Sequence, residues 1–214
     1  MNAMILAAGR GERMRPLTDT CPKPLLEVHG KPLIVYHIEA LARAGIHSVV
    51  INLCWLGQQI RQALGDGSAF GLSIRYSEEP KALETAGGIV QALDLLDDEF
   101  IVVNGDVYTD FDFTRLMDLD NQACLVMVPN PPHHTAGDFA IRDGRLVTND
   151  QPLLTFSGIA AYRKTFFADV PAGRSALAPL LRQGADEGIV SAWRYDGSWS
   201  DVGTPARLRQ LNAT

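Results

Sequence analysis

The chain has 214 residues, of which 46% are hydrophobic and 21% are charged, and its formal net charge is −6 at pH 7. This composition is typical of a globular protein with one sizeable core. No basic cluster offsets the negative charge, so the sequence predicts no nucleic-acid or membrane partner. No apolar run approaches the roughly 18 residues that a transmembrane helix needs.

The first half of the chain alternates strands and helices that are joined by short connections. The pattern predicts strands at 4–8, 47–53, 72–76 and 100–103, and helices at 31–44, 56–64 and 85–96. Gly45 stands where a C-cap glycine belongs. This alternation favours a mostly parallel sheet with helices on both faces.

The second half has a different pattern, because its strands crowd together. Strands are predicted at 123–128, 138–141, 145–148 and 153–162, and helices at 175–183 and 205–212. Closely spaced strands suit hairpins or antiparallel edge strands. With no linker or repeat in between, the sequence predicts one α/β domain over residues 1–214. Its sheet is expected to be Rossmann-like, with a small antiparallel β region in the second half.

The three cysteines, Cys21, Cys54 and Cys124, are scattered and form no C-x-x-C motif. This usage predicts reduced thiols in a cytoplasmic protein and argues against a zinc site.

A loop rich in glycine and arginine follows the first strand directly, with the sequence GRGERMRP at residues 9–16. Glycines let backbone N–H groups approach phosphate oxygens, and Arg13 and Lys23 add positive charge. In open α/β sheets, ligands bind at the carboxyl ends of the strands, where segments 104–106 and 200–204 can join this loop. The loop is therefore a candidate phosphate site, and the alternative is a surface loop with solvated arginines.

Two common nucleotide motifs are excluded. Met14 stands where the dinucleotide-binding fingerprint requires its third glycine, so a dehydrogenase is disfavoured. The sequence Gly30-Lys31-Pro32 lacks the Ser or Thr of a P-loop.

The segments LAAGRGERMRPLT (6–18) and PKPLL (22–26) resemble the signature of the sugar-phosphate nucleotidyltransferase family. The resemblance covers nearly the whole chain and implies a GT-A-like nucleotidyltransferase fold. It implies a nucleotide-binding half at 1–110 and a sugar-binding half at 111–214. The residues it assigns to the nucleoside triphosphate are Leu6, Ala7, Ala8, Gly9, Gly11, Glu12, Arg13 and Lys23. Glu12 departs from the threonine that is common in the family.

Asp106 and Asp201 match the two aspartates that hold Mg²⁺ in this family. The chemistry agrees, since Mg²⁺ favours carboxylate and phosphate oxygens, and two bare aspartates would repel a triphosphate. Asp106 in an Asx-turn and Asp201 as a helix cap are the structural alternatives, although Thr204 is the better cap. The resemblance gives Arg13, Lys23 and Asp106 the catalytic roles.

The remaining contacts also rest on the resemblance. The resemblance assigns Glu79 to the nucleotide base. It assigns Thr85, Ala86 and Gly87 to the start of the third helix, which would approach the nucleotide. The sugar would contact Gly105, Gly137, Asn149, Ser157 and Gly158. The pair His133-His134 is interpreted as a solvated loop.

The implied reaction joins a sugar 1-phosphate to a nucleoside triphosphate and releases pyrophosphate. Within the family, the compact length and segments 84–88 and 156–159 are most similar to uridylyltransferases acting on N-acetylmuramate 1-phosphate. Mannose 1-phosphate guanylyltransferases, which use GTP, share nearly every motif. A non-catalytic regulatory protein that binds nucleotide sugars also stays open.

Overall fold

A computed structural model gives the structure of the protein and describes residues 1–213. The strands are β1 (Asn2–Leu6), β2 (Glu27–Val28), β3 (Lys31–Pro32), β4 (Ser48–Leu53), β5 (Ser73–Glu78), β6 (Glu99–Asn104), β7 (Val107–Thr109), β8 (Ala123–Val128), β9 (Ala140–Arg142), β10 (Arg145–Val147), β11 (Thr155–Arg163), β12 (Val190–Arg194) and β13 (Trp199–Asp201). The helices are α1 (Leu33–Arg43), α2 (Gly57–Leu64), α3 (Glu84–Ala92), α4 (Leu177–Asp186) and α5 (Pro205–Asn212). Short 3₁₀ turns occupy much of the remaining chain, including three between β1 and β2.

Nine strands form one mixed sheet in the order β5-β4-β1-β6-β11-β8-β12-β10-β9. The first four strands are parallel, and β11 then runs antiparallel to both β6 and β8. The predicted mostly parallel sheet is confirmed. Strand β12, which the pattern did not predict, pairs with β8 in parallel, so the second half is not wholly antiparallel.

Alternate residues of the central strands face two separate cores, as the two-residue period of a strand requires. Ala3 and Ile5 of β1 pack with α1 and α2 on one face. Met4 packs with α3 and α4 on the other face. Strands β1, β4 and β6 are therefore buried on both sides, which explains their nearly uninterrupted apolar sequences, whereas the edge strand β5 alternates buried and exposed residues.

Two small two-stranded sheets were not predicted: β2 pairs with β3, and β7 pairs with β13. The second pair matters for function because it places Asp201 inside a strand rather than in the loop that the sequence suggested. Such pairs are too short to give a periodic signal. Among the described residues, no helix has both the length and the apolar character to cross a bilayer.

His37 on α1 is a buried polar side chain that lies beneath β7. Complete burial lowers the pKa of His37 to about 4, and a hydrogen bond to the backbone of Val107 and the nearby Asp106 carboxylate oppose the shift only in part. Its Nε2 atom has no hydrogen-bond partner. Folding therefore favours the neutral imidazole.

We predict that this histidine makes stability pH-dependent. Below pH 6.5 the unfolded chain binds a proton that the folded chain excludes, so the unfolding free energy should fall by up to about 1.4 kcal/mol per pH unit between pH 6.5 and 4. Urea denaturation at several pH values, on wild type and His37→Gln, measures the slope. The matched control is His47→Gln, at an exposed histidine. An unchanged slope in His37→Gln would contradict the prediction.

Candidate active site

A cavity of about 400 Å³, here called cavity I, lies at the carboxyl ends of the parallel strands. Leu6 is in register with Asn52 on one side and with Asn104 on the other, so these three strand ends form one row. The residues that line cavity I are Leu6, Ala7, Ala8, Gly9, Gly11, Glu12, Arg13, Met14, Lys23, Pro24, Asn52, Glu79, Ala82, Glu84, Thr85, Asn104, Asp106 and Gly203.

The loop after β1 has a fixed shape because it bonds to itself. Gly11 has φ +67°, and a Cβ there would lie 3.0 Å from Cγ2 of Thr18 and 3.3 Å from Cβ of Lys23. The Gly11 carbonyl accepts hydrogen bonds from Met14 N and Thr18 Oγ1, both at 2.8 Å. Glycine is required at this position by both its φ and the lack of space. The result is a loop whose backbone curves along cavity I.

The arginines of this loop are not equivalent. Arg10 stacks over Trp55 at 4.4 Å, and Arg15 donates to Asp19 at 2.7 Å on the exposed surface. Within residues 1–213, the Arg13 side chain makes no hydrogen bond or ion pair, and it lines the cavity. Arg13 is therefore available to an anionic ligand, whereas Arg10 and Arg15 already have partners.

A buried hydrogen-bond network closes the opposite end of cavity I. Asn52 accepts from Ala7 N at 2.7 Å and donates to Glu79 Oε1 at 2.7 Å. The second oxygen of Glu79 accepts from Leu83 N at 2.9 Å. Asn52 and Glu79 are 3% and 5% exposed, so each lost bond would leave a polar group unsatisfied. The network joins the ends of β1, β4 and β5 to the segment before α3.

A second cavity of about 330 Å³, here called cavity II, adjoins the first. Arg13, Asn104 and Asp106 line both cavities. The other residues that line cavity II are Val107, Pro131, His133, His134, Thr155, Phe156, Ser157, Trp199 and Asp201. A ligand in cavity I and a ligand in cavity II would therefore meet at one cationic and one anionic side chain.

Asp106 lies at this junction, and the pairing of β7 with β13 brings Asp201 to the wall of cavity II. Asp201 is opposite Val107, and Val202 N donates to the Asp106 carbonyl at 2.8 Å. Lys23 Nζ lies 2.5 Å from Asp106 Oδ2. On the other aspartate, Arg207 Nη1 lies 2.5 Å from both carboxylate oxygens.

The nucleotide residues predicted from the sequence fall into two groups. The loop residues, Glu79 and Thr85 line cavity I, whereas Ala86 and Gly87 are buried in α3. Gly87 N donates to Ser175 O at 3.1 Å. The segment before α4 thus covers part of the first turn of α3. The residues of this turn that face cavity I are Glu84 and Thr85.

The predicted sugar residues are also divided. Ser157 lines cavity II, and its buried hydroxyl donates to Val126 O at 2.6 Å. Gly158 has φ +79° beside a register shift in β11, and a Cβ there would collide with the Asn104 side chain. Gly105 N donates to Leu6 O at 2.9 Å, and a Cβ there would lie 2.8 Å from the same oxygen, so glycine permits this close approach of the two backbones. Both glycines lie behind the residues that line the junction, and their backbone geometry determines its shape.

Gly137 and Asn149 lie farther away. Gly137 has φ +70° and packs against Leu153 and the side chain of Asn130. Neither Gly137 nor Asn149 is among the described residues that line the two cavities. Their assignment to the sugar stays a prediction that this geometry does not support directly.

Sequence reasoning missed several lining residues. Asn52 interrupts the end of an apolar strand, which was an available signal for a ligand site, whereas Asn104 was expected near the site as part of segment 104–106. Thr155, Trp199 and His133 gave no such signal, because their position depends on the pairing of distant strands. His133 and His134, interpreted from the sequence as a solvated loop, lie on the wall of cavity II.

Comparison with known proteins agrees with this geometry. The model of the nucleotidyl transferase family matches residues 2–139. The chain is 52% identical over its whole length to an N-acetylmuramate alpha-1-phosphate uridylyltransferase of Neisseria meningitidis serogroup B, and it spans 97% of that protein. It is 30% identical to a mannose-1-phosphate guanylyltransferase catalytic subunit beta of Danio rerio, covering 96% of this chain but 62% of that one.

The fold is shared with a Bacillus anthracis crystal structure assigned as a glucose-1-phosphate thymidylyltransferase. The TM-score is 0.89 at 22% identity, and the match covers 100% of this chain and 94% of the other. The chain belongs to the nucleotidyl transferase family, and it is an enzyme of the nucleotidyltransferase class.

We predict that the Asn52 network shapes nucleotide binding. Asn52→Ala leaves Ala7 N–H and a Glu79 oxygen without partners, so the KM for the nucleotide should rise about tenfold, equivalent to about 1.4 kcal/mol. Steady-state kinetics with a saturating second substrate measures this effect, with little change expected in kcat.

The matched control is Asn2→Ala. Asn2 is equally buried at the opposite end of β1, where it donates to Leu95 O and accepts from Asp97 N. Its loss should lower stability without raising the KM. A similar KM increase in both variants would mean that Asn52 acts only through stability.

Proposed function

We propose that the chain transfers a uridylyl group from UTP to N-acetylmuramate 1-phosphate, giving UDP-N-acetylmuramate and pyrophosphate for cell-wall recycling. The observation that carries the proposal is the meeting of cavities I and II at Arg13, Asn104 and Asp106. A reaction between two bound substrates needs this kind of shared boundary, because the reacting atoms must approach to about 3–3.5 Å.

The reaction requires positioning and charge stabilisation rather than a covalent enzyme intermediate. An oxygen of the sugar phosphate is already anionic at pH 7, and it attacks the α-phosphorus of the nucleotide. The bond from that phosphorus to the β-phosphate oxygen breaks, and pyrophosphate leaves with the electron pair. Arg13 and Lys23 would offset the negative charge that builds up during this exchange. Cavity I would hold the nucleotide and cavity II the sugar.

Asp106 and Asp201 are suited to hold Mg²⁺ with the substrates. Both line cavity II, and each pairs with a cationic side chain of the protein. Among residues 1–213 no cluster of three or more His, Cys, Asp or Glu side chains suits a metal ion. Two carboxylates that need phosphate oxygens to complete an octahedral shell match the preference of Mg²⁺. When bound, the ion would neutralise phosphate charge and orient the phosphates.

The base would lie at the Asn52–Glu79 end of cavity I. There the hydrogen-bonded segments 6–8 and 79–85 present backbone groups and the Glu79 carboxylate. In this proposal residues 1–110 mainly bind the nucleotide and residues 111–214 the sugar. The proposal includes the cytoplasmic location predicted from the cysteines, which cell fractionation tests.

The choice of UTP and N-acetylmuramate rests on similarity. The match to the uridylyltransferase relative covers 100% of this chain and 97% of that protein, whereas the guanylyltransferase relative extends well beyond the match. The presence of Arg13, Lys23, Asp106 and Asp201 together favours an active enzyme over a binding protein.

The decisive experiment measures pyrophosphate release from pairs of UTP or GTP with N-acetylmuramate, N-acetylglucosamine or mannose 1-phosphate. We expect the highest kcat/KM for UTP with N-acetylmuramate 1-phosphate, and loss of activity when EDTA removes divalent metal. A site that binds the lactyl carboxylate should reject a sugar without it. Faster turnover of mannose 1-phosphate with GTP would favour the guanylyltransferase alternative. No turnover with any pair, but nucleotide-sugar binding, would favour the regulatory one.

We also predict that Arg13 and Arg15, which lie on the same loop, contribute differently to kcat. Arg13→Ala should lower kcat on the order of 10²–10³-fold, because a preorganised charge on the reacting phosphates is lost. Arg15→Ala is the matched control, since Arg15 lies on the same loop but pairs with Asp19 outside the cavity lining. Its kcat should change less than about threefold. Equal small effects in both variants would refute the phosphate role of Arg13.

A further inference from the structure

Asp201 is held by two side chains that no part of the proposed reaction uses. Arg207 Nη1 lies 2.5 Å from each of its carboxylate oxygens, and His133 Nε2 lies 2.8 Å from Oδ1. Arg207 comes from α5, which follows β13 directly, and His133 from the distant loop after β8, so a neighbouring helix and a remote loop converge on one carboxylate. The Asp201 carboxylate is therefore not free to meet a cation without losing partners.

Arg207 is fixed by the start of its own helix. Thr204 caps α5, and its Oγ1 accepts from Arg207 N at 3.3 Å and from Nε at 3.5 Å. A Cβ at Gly203 would collide with the guanidinium, so glycine leaves the space that Arg207 occupies. Capping and the missing side chain thus direct this arginine toward Asp201 rather than into solvent.

The charges at the junction are balanced in pairs. Lys23 neutralises Asp106, and Arg207 neutralises Asp201. The Arg207 and Asp201 side chains are 17% and 25% exposed, so water screens this pair less than a surface pair. A divalent cation that arrives alone meets carboxylates that already have cations, and it would also be repelled by Arg207.

We propose that Arg207 is an internal counter-cation of the metal site, which excludes free divalent metal from Asp201 until a nucleoside triphosphate arrives. This inference rests on the proposed metal-dependent function. The triphosphate brings anionic oxygens that can take over the displaced cations and complete the shell of the metal. The metal and the nucleotide therefore bind together. In the absence of both ligands, Arg207 and His133 keep the Asp201 carboxylate oriented. Arg207 is a positioning residue in this scheme.

The test measures direct binding of Mn²⁺ in the absence of nucleotide. Electron paramagnetic resonance monitors the concentration of the free ion. Arg207→Gln should bind Mn²⁺ about tenfold more tightly than wild type, because one charge-assisted hydrogen bond no longer competes. Arg209→Gln is the matched control, an exposed arginine on the same helix, and its affinity should not change. With a non-hydrolysable UTP analogue present, the difference between Arg207→Gln and wild type should shrink to less than threefold.

Arg207→Lys should restore most of the wild-type affinity, since it keeps the charge. His133 Nε2 also lies 2.5 Å from Arg207 Nη1, so His133→Ala removes the second partner of Asp201 and loosens the first, while the sequence of α5 is unchanged. This variant should therefore also tighten Mn²⁺ binding, and it is the test that remains if Arg207→Gln disturbs the helix. Equal or weaker Mn²⁺ binding by both Arg207→Gln and His133→Ala would overturn the proposal. Failure of the proposed function is a separate result, seen as no divalent-dependent pyrophosphate release by wild type.

Discussion

The pairing of β7 with β13 is the constraint on which the site depends. It joins Asp106 to a segment about 95 positions later through the bond from Val202 N to the Asp106 carbonyl. Trp199, at the start of β13, also donates to Ser157 O at 3.0 Å, which ties the pair to the irregular part of β11. These two hydrogen bonds, one from the backbone and one from an indole, hold the wall of cavity II in place. A six-residue sheet thus connects the two larger structural halves at the position where chemistry is proposed.

Charge is organised locally, against the net charge of the whole chain. The protein is acidic overall, yet the loop after β1 brings Arg13 to both cavities and Lys23 to Asp106, and helix α5 brings Arg207 to Asp201. A polyanionic substrate needs such a local field, because charges farther than a Debye length of about 8 Å are screened. Among the residues that the structure describes, Lys23 and Arg207 pair with aspartates, whereas Arg13 has no charged partner. The site therefore combines one ready anion contact with two that depend on exchange of partners.

The Asn52–Glu79 end of cavity I is formed in advance, whereas the charged end depends on an exchange of ion-pair partners. Asn52 and Glu79 are buried and their hydrogen bonds are made within the protein, so this end of cavity I is shaped before any ligand arrives. Buried polar networks that are fully satisfied specify one arrangement of the surrounding backbone. Preorganisation of this kind lowers the ordering cost of binding. Recognition at one end and charge exchange at the other are then separate tasks of one cavity.

The sequence by itself determined the parallel half of the fold and the loop that lines cavity I. Apolar runs, alternating helices and the spacing from Gly9 to Lys23 are local features, and local features are read from neighbouring residues. Thr204 before Pro205 likewise predicted the start of α5, and the structure confirms the cap. The sequence also placed segments 104–106 and 200–204 at the strand ends, but it assigned Asp106 and Asp201 to the metal through resemblance, because no spacing links residues so far apart.

Only the tertiary structure decided which polar groups share a site. The row of Asn52, Leu6 and Asn104 follows from the register of three parallel strands, and register depends on packing across the sheet. The clamp of Arg207 and His133 on Asp201 follows from the β7–β13 pairing and the space left by Gly203. The physical reason is common to both cases. Local propensity acts over a few residues, whereas a site at strand ends is assembled by contacts between segments tens of residues apart.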